Sequence, residues 1–171
     1  MIISTIFPDL IIVKRRTFSD HRGVLNKIFD SKILKNFQLD DAYTAYSRDP
    51  KTVRGLHYQM PMHGQTKYVS CTSGAFLDIV LDLRPASPKY GEIFIHELNE
   101  ENQESILVPA GFAHGIFTLR PNTTMLSLCQ GEYRPELESG FSILDLGLNF
   151  IGSDIIISDK DKNLPMFEKT R

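Results

Sequence analysis

The chain has 171 residues, of which 42% are hydrophobic and 23% are charged, and its formal net charge is −2. This composition is typical of one globular domain, here residues 1–171, and it excludes a disordered or fibrous chain. The longest basic run covers only 14–16, so nucleic acid is not expected as a partner, because phosphate binding needs a concentrated basic face. No apolar stretch approaches the roughly 18 residues of a membrane span, and residues 1–10 lack a signal-peptide pattern. We therefore expect a soluble, cytoplasmic protein.

Short apolar or alternating runs recur along the chain. The runs predicted to form strands are 10–13, 68–71, 76–83, 93–97, 105–108, 115–119 and 125–129. Turn-forming residues separate them, at 72–74, 84–88, 99–102, 109–111 and 120–122. Many short strands with such punctuation are typical of an all-β sandwich or barrel. Helix is expected only as one turn near 31–37 and as a short piece close to the C-terminus.

The run 76–83 has two different faces. One face is predicted to seal a core, because it carries only Leu77, Ile79, Leu81 and Leu83. The other face carries Asp78 and Asp82 beside Phe76 and Val80, and it is either the lining of a polar cavity or a solvated surface. The two cysteines, Cys71 and Cys129, lie in predicted strands and are expected to be small core residues in a reducing compartment.

Two clusters contain residues suited to chemistry. If 53–59 is a strand, His57 shares a face with Gly55 and Gln59, whereas Arg54 points to the other side. Gly55 would then leave room for a ligand near the imidazole. A lone histidine in a strand is more often structural, but the nearby Arg54 and Lys67 favour a functional role. The second cluster, 108–115, suggests a tight turn that places His114 at the start of a strand, a common functional position.

These clusters, with three further segments, resemble the dTDP-4-dehydrorhamnose 3,5-epimerase family. The segments are RGLHYQ at 54–59, QTKYVSCTSGAFLDIVLDLRPASPKYG at 65–91, ILVPAGFAHG at 106–115, MLSLCQGEYRP at 125–135 and ISDKDKNLP at 157–165. The resemblance implies a cupin-type double-stranded β-helix, or jelly roll, that works as a homodimer without metal or cofactor. Members of the family invert the carbons that flank the ketone of a nucleotide-linked 4-keto-6-deoxyhexose, in deoxysugar and polysaccharide biosynthesis.

The same resemblance implies roles for particular side chains. His57 corresponds to the base, Asp161 to the carboxylate that orients it, and Lys67 to the cation beside the carbonyl. Removal of a proton next to a ketone requires a base that titrates near neutral pH and a group that stabilises the enolate. Asp78 is a hypothetical partner for Lys67. The side chains expected to contact the sugar and the nucleotide are Arg22, Arg54, Gln59, His114 and Tyr133.

The chain is a divergent member by this comparison. The family places the tyrosine that protonates the opposite face at the position of Ser127, whose hydroxyl is shorter and much less acidic than a phenol. Water, Cys129 or another tyrosine would have to replace it. Tyr43 and Ala45 stand where the family tends to have Gln and Asn, which predicts an altered sugar or nucleotide.

Several functions therefore stay open. They are epimerisation at C3, at C5 or at both carbons, a ketoisomerisation of another sugar nucleotide, and non-catalytic binding of a sugar nucleotide. A cupin metal site could be drawn from His57, His63 and His114, but no second histidine follows His57 at the usual two-residue spacing. For the expected dimer, the apolar stretch 5–13 is a candidate to pair across the interface.

Overall fold

Apolar alternation and frequent turns produce a structure that is almost entirely β, which confirms the predicted fold class. A computed structural model describes residues 1–60 and 64–169. Its strands are β1 Ile2–Ser4, β2 Ile11–Lys14, β3 Arg16–Asp20, β4 Gly23–Lys27, β5 Asp41–Ser47, β6 Val53–Gln59, β7 Thr66–Ser73, β8 Ala75–Asp82, β9 Ile93–Asn99, β10 Glu104–Val108, β11 Phe112–Thr118, β12 Thr123–Gln130 and β13 Glu138–Gly140. Among the described residues, helical structure is limited to α1, Asp159–Lys162, and the 3₁₀ turns Pro135–Leu137 and Ile143–Asp145.

The strands form two large antiparallel sheets and one separate hairpin. The six-stranded sheet has the order β1-β2-β10-β7-β12-β5, and the five-stranded sheet has the order β13-β6-β11-β8-β9. Within residues 1–60 and 64–169, strands β3 and β4 pair only with each other. Apart from β1–β2 and β8–β9, neighbouring strands in the large sheets are not consecutive in the chain, as in the cupin-type arrangement of two facing sheets that the resemblance implies.

The central core lies between the two sheets. Side chains of both sheets contribute to it, including Val69, Ile106 and Met125 from one and Phe76, Val80 and Ile116 from the other. Cys71 is part of this core, and both cysteines are free and buried, as predicted. The space between the sheets is therefore packed at one end, and the remaining interior is available for a site.

The five-stranded sheet buries its outer face under the C-terminal segment. Ile79 and Leu81 of β8 lie in a second core that the segment 141–167 covers, with Leu77 and Leu83 packed against it. The all-aliphatic face of β8 thus seals a core, as predicted. This packing holds the C-terminal segment against the sheet that carries β6.

The carboxylates on the other face of β8 have different surroundings. Asp82 is fully buried, and it accepts hydrogen bonds from Arg84 Nε at 2.8 Å and Ser87 Oγ at 2.6 Å. It therefore organises the turn after β8 and does not line a cavity, so the cavity prediction is wrong for this residue. Asp78 is also fully buried, and it points into the interior between the sheets behind a histidine.

Two regions differ from expectation. Residues 31–37 form hydrogen-bonded turns rather than a helix, although Leu34 N donates to Asp30 O at 3.0 Å as it would in one. The stretch 5–13 packs within its own chain, because Phe7 and Leu10 are fully buried and β2 pairs with β1 and β10. It is therefore not the free interface strand that the sequence suggested.

The β3–β4 hairpin is the most exposed apolar part of the fold. Phe18 is 60% exposed, Val24 55% and Leu25 63%. A group of neighbouring apolar side chains this exposed is unusual for a protein surface.

Among the described residues, none of the helices has the length and apolarity that crossing a membrane requires.

Candidate active site

Two neighbouring cavities open between the sheets. The first has a volume of about 530 Å³ and the second about 390 Å³. Three residues line both of them: Tyr43 on β5, His57 on β6 and Lys67 on β7. These side chains therefore mark the junction at which one ligand could extend into both cavities.

His57 is held by a carboxylate from the far end of the chain. Its Nε2 lies 2.8 Å from Asp161 Oδ1, and Gly55 N donates to Asp161 Oδ2 at 2.9 Å. Burial alone would raise the pKa of Asp161, but these hydrogen bonds and the charges of His57 and Lys160 lower it below its ordinary value. An ionised Asp161 can accept a hydrogen bond from the Nε2–H of His57, an arrangement that leaves the lone pair on Nδ1 able to take up a proton.

The C-terminal segment brings Asp161 to this position through backbone pairing. Val53 N donates to Ile156 O at 2.7 Å, and Ile156 N donates to Lys51 O at 3.0 Å. The segment then enters α1, where the Ser158 hydroxyl accepts from Asp161 N at 3.1 Å and caps the helix. Asp161 is thus held in place through both its backbone and its side chain.

A β-bulge brings Arg54 to the same side as His57. In the β6–β11 register His57 is opposite His114 and Arg54 is opposite Ile116, so three steps on β6 match two steps on β11. Since His114 and Ile116 share a face, the extra residue turns Arg54 and His57 to one face, where both line the first cavity. The prediction that these two side chains point apart is therefore wrong, because it assumed an unbroken strand.

Gly55 serves the close approach of two strands rather than a ligand. A Cβ at this position would lie 2.7 Å from the backbone oxygen of His114, and its φ of +98° strongly disfavours other residues. The predicted room for a ligand at Gly55 is thus filled by β11. Its backbone N–H still contributes to the site, because it orients Asp161.

His114 forms a second histidine–carboxylate pair. Its Nε2 lies 2.8 Å from Asp78 Oδ2, with both side chains almost fully buried, and His114 lines the first cavity. The other oxygen, Asp78 Oδ1, has no hydrogen-bond partner among the described residues. Asp78 therefore orients His114, and the hypothesis that it holds Lys67 directly is wrong, although its charge acts on the lysine.

Lys67 is a largely buried amine, and no carboxylate forms an ion pair with it in the described part of the chain. Removal from water lowers its pKa. The nearby Cys129, Glu138 and Asp78 partly oppose that effect. An unpaired cation next to a base can stabilise negative charge that develops on a substrate oxygen.

The first cavity also contains a preorganised guanidinium. Arg54 Nε donates to Ser47 Oγ at 3.1 Å and its Nη2 donates to Tyr46 O at 2.7 Å, so the side chain is fixed by neutral groups. No carboxylate pairs with Arg54 in the described part of the chain. Its charge is therefore free to attract an anion, with Lys160 on the same wall.

The second cavity is lined by aromatic, amide and acidic groups. The side-chain amide of Gln59 forms two hydrogen bonds to the loop after β12. It donates to Glu132 O at 2.9 Å and accepts from Arg134 N at 2.9 Å. These bonds position Tyr133, which lines the cavity with Tyr58 and Glu138. Gln59 thus supports the loop as well as lining the cavity.

Three other predicted site residues lie away from the cavities. Arg22 is at the tip of the β3–β4 hairpin, where its Nη2 donates to Asp20 Oδ2 at 2.7 Å. Ser127 and Cys129 are fully buried in β12, with Oγ and Sγ 3.5 Å apart, and neither is among the cavity-lining residues.

The metal site drawn from the sequence included His63, which lies outside the described residues. Within the described residues, no three His, Cys, Asp or Glu side chains are grouped to hold a metal ion.

Sequence reasoning did not assign two residues that the structure brings to the site. Glu138 lines the second cavity and pairs with Lys160, which itself lines the first. Burial would raise the pKa of Glu138, but Lys160 and the charges of His57 and Lys67 lower it. Tyr43 was recognised only as a departure from the family pattern. Neither residue lies in a local motif, so no signal in its own segment pointed to the site.

The chain is similar to known proteins along most of its length. The sequence profile of the dTDP-4-dehydrorhamnose 3,5-epimerase family matches residues 4–169. The dTDP-4-dehydrorhamnose 3,5-epimerase of Sinorhizobium fredii is 34% identical over 161 residues, which are 90% of this chain and 83% of that protein. A dTDP-4-dehydro-6-deoxyglucose 3-epimerase from Streptomyces is 32% identical over 155 residues, 86% of this chain and 79% of that protein. A crystal structure of a Bacillus anthracis dTDP-4-dehydrorhamnose 3,5-epimerase with TDP and PPi bound has a TM-score of 0.93 at 32% identity, covering 98% of this chain and 99% of that chain.

Proposed function

The chain belongs to the dTDP-4-dehydrorhamnose 3,5-epimerase family, and we propose that it epimerises a dTDP-linked 4-keto-6-deoxy sugar between its two sheets. It is a sugar-nucleotide epimerase, hence an isomerase of deoxysugar biosynthesis. One arrangement carries the more specific proposal. The His57–Asp161 pair and the unpaired Lys67 meet at the junction of two cavities.

The proposed first step is proton removal beside the ketone. Nδ1 of His57 takes the proton from the carbon next to the C4 carbonyl, and the C–H electron pair forms the C=C bond of an enolate. The carbonyl π electrons move to oxygen, where protonated Lys67 stabilises the charge. Asp161 stays ionised and stabilises the imidazolium, as in other histidine–carboxylate pairs. No metal or cofactor is needed for this step, because side chains supply both the base and the positive charge.

The charges of the two cavities suggest how the substrate lies. The first cavity contains Arg54 and Lys160 and suits the diphosphate, because bidentate guanidinium contacts match phosphate oxygens. The hexose then lies at the junction beside His57 and Lys67. Tyr133 and Glu138 in the second cavity face the far side of the sugar.

We assign the working form as a homodimer in which the β3–β4 hairpin packs on a second copy. The hairpin exposes Phe18 and Leu25, and the outer edge of β5 has no strand paired to it among the described residues. An apolar hairpin and an open sheet edge on the same chain favour pairing between copies. Arg22, far from its own cavities, would then reach the phosphates of the ligand bound to the partner. The two free cysteines favour the cytoplasm as the compartment.

Epimerisation of a single carbon is the second candidate. The Streptomyces relative is named as a 3-epimerase and is 32% identical, close to the 34% of the 3,5-epimerase from Sinorhizobium fredii. The two activities share proton removal by the same base. They differ in whether C5 also reaches the base, so the exchange pattern of the two carbons separates them.

Solvent exchange tests the proposal. The protein is incubated in deuterated water with dTDP-, GDP- or CDP-linked 4-keto-6-deoxyglucose, in parallel samples with and without EDTA. The sugars are then analysed by NMR. Deuterium at C3 and C5 with inversion supports double epimerisation, whereas deuterium at C3 alone supports the second candidate. His57→Ala should abolish exchange. Absence of exchange with every substrate would refute proton removal by this protein. Loss of exchange only in the samples that contain EDTA would show that a metal is required.

A further inference from the structure

Inversion requires a proton donor on the face opposite the base. A base that removes a proton and returns it to the same face regenerates the starting configuration, so an epimerase needs a second acid on the other side of the enolate. His57 lies on the five-stranded sheet, and the second acid must therefore project from the facing wall of the cavity. Lys67 projects from that wall, but its charge is needed at the enolate oxygen.

Tyr43 occupies the required position. It lies on β5 at the edge of the six-stranded sheet, opposite the sheet that carries His57, and it lines both cavities together with His57 and Lys67. We propose that Tyr43 is the acid that protonates the enolate on the face opposite His57, an inference that rests on the proposed epimerase function. Its phenol donates the O–H proton to the carbanionic carbon. The resulting phenolate then takes a proton from solvent, and the His57 imidazolium releases to solvent the proton that it removed.

The strand register explains how Tyr43 reaches the interior. Ser127 on β12 is paired with Tyr43 on one side and with Val69 on the other, so all three share the face that is directed at the other sheet. Directly paired side chains on one face are about 5 Å apart at Cβ. A serine at 127 leaves space for the neighbouring aromatic ring, which a large side chain at 127 would compete for.

The two buried groups of β12 are poor alternatives. Ser127 is fully buried, and it is not among the residues that line either cavity. Cys129 is also fully buried, and it is not among the residues that line either cavity. Burial raises the pKa of Tyr43, which keeps the phenol protonated at neutral pH as an acid must be before transfer.

The other tyrosines of the site are less suitably placed. Tyr58 is next to His57 on the same strand and is stacked on Phe141 with ring centroids 5.7 Å apart. Tyr133 is in the loop after β12 and lines only the second cavity. Tyr43 is 40% exposed, so water can return a proton to the phenolate after each turnover.

The test compares solvent exchange with inversion in the same sample. Tyr43→Phe removes only the hydroxyl, so His57 should still exchange deuterium into the carbon beside the ketone, returning it to the original face. We expect exchange within about tenfold of wild type, and inversion reduced by roughly 10²-fold or more. The imidazole is 25% exposed, which allows its proton to exchange with solvent between removal and return. Tyr46→Phe on the same strand is the matched control, because the Tyr46 hydroxyl contacts Asn122 away from both cavities.

Each outcome distinguishes the inference from the function on which it rests. Exchange without inversion in Tyr43→Phe, with both retained in Tyr46→Phe, supports the assignment. An unchanged ratio of inversion to exchange in Tyr43→Phe overturns the assignment of Tyr43 and leaves the epimerase function intact. If the rates of inversion and exchange fall equally, Tyr43 has a positioning role instead. Absence of exchange in wild-type protein with every sugar nucleotide refutes the proposed function itself, and exchange without inversion in wild type overturns both.

Discussion

Nε2 of His57 lies 2.8 Å from Oδ1 of Asp161, although 104 residues separate them in the sequence. Backbone pairing of residue 156 with the start of β6 holds the C-terminal segment in place, and the Gly55 N–H fixes the second carboxylate oxygen. The histidine–carboxylate pair that we propose as the base is therefore assembled only when the last part of the chain folds onto the five-stranded sheet. Changes at Asp161 should accordingly affect both catalysis and stability.

Asp161→Asn should lower kcat by roughly 10³- to 10⁴-fold with a small effect on KM. An amide can donate to Nε2, which favours the tautomer that carries its proton on Nδ1 and so blocks the base. Steady-state epimerisation rates measure the effect. Asp159→Asn in the same short helix is the control, because Asp159 is exposed and its side chain is outside both cavities. A rate for Asp161→Asn within tenfold of wild type would contradict the role of the carboxylate.

The stability of the protein should depend on pH through Asp161. Its pKa in the folded protein is lowered, so its contribution is fully present above the unfolded-state pKa of about 4 and is lost as the pH falls through the folded-state value. Urea unfolding between pH 2 and pH 7 should show a steeper loss of unfolding free energy at low pH for wild type than for Asp161→Asn. Equal slopes for the two proteins would show that the ion pair adds nothing.

Lys67→Met should separate function from stability. Loss of the cation beside the enolate should lower epimerisation and solvent exchange by roughly 10²- to 10³-fold. The melting temperature should stay the same or rise, because the variant no longer buries an amine that lacks a counter-ion. Lys162→Met, at an exposed position of α1, controls for the change in charge and should leave the rate unchanged. A variant as active as wild type would exclude Lys67 from the chemistry.

The dimer can be tested through its hairpin. Phe18→Asp with Leu25→Asp should convert the protein to a monomer in sedimentation experiments, because two charges replace apolar side chains that are 60% and 63% exposed. His21→Asp, at the hairpin turn between β3 and β4, is the control for added charge. A dimer that persists with both apolar residues replaced would place the interface elsewhere.

Mixing experiments test whether Arg22 acts on the partner's site. Arg22→Ala should raise KM, and His57→Ala should be inactive. If the arginine acts across the interface, a mixed dimer of the two variants contains one intact site, so activity at low substrate concentration should rise after the subunits are exchanged. No rise in a verified mixed dimer would show that Arg22 serves its own chain or none.

Both thiols should resist modification in the folded protein. Burial raises the pKa of Cys71 to about 12, and the pKa of Cys129 is raised for the same reason. Because the thiolate is the reactive form, iodoacetamide at pH 8 should label neither residue in the native state and both after unfolding. Mass spectrometry of the intact protein gives the count. Rapid native labelling of Cys129 would show that the cavity opens to β12.

The sequence was most informative where local alternation decides the structure. The aliphatic face of β8 and the strands around it were predicted because buried strands carry a period-two pattern. Strands β3, β4 and β5 were missed, since most of their side chains are exposed and give no such pattern. The orientation of Arg54 was wrong for a related reason, because a bulge depends on the partner strand and leaves no mark in the segment itself.

By itself the sequence determined the family, the all-β class and the residue types needed to move a proton beside a ketone, because these follow from short segments. Tertiary structure alone decided which groups meet. The register of β5 and β12 brings Tyr43 over Ser127, the bulge in β6 turns Arg54 toward His57, and the returning C-terminal segment delivers Asp161. Each of these contacts joins residues from separate strands or segments, and their distances are set by pairing and packing that no local pattern specifies.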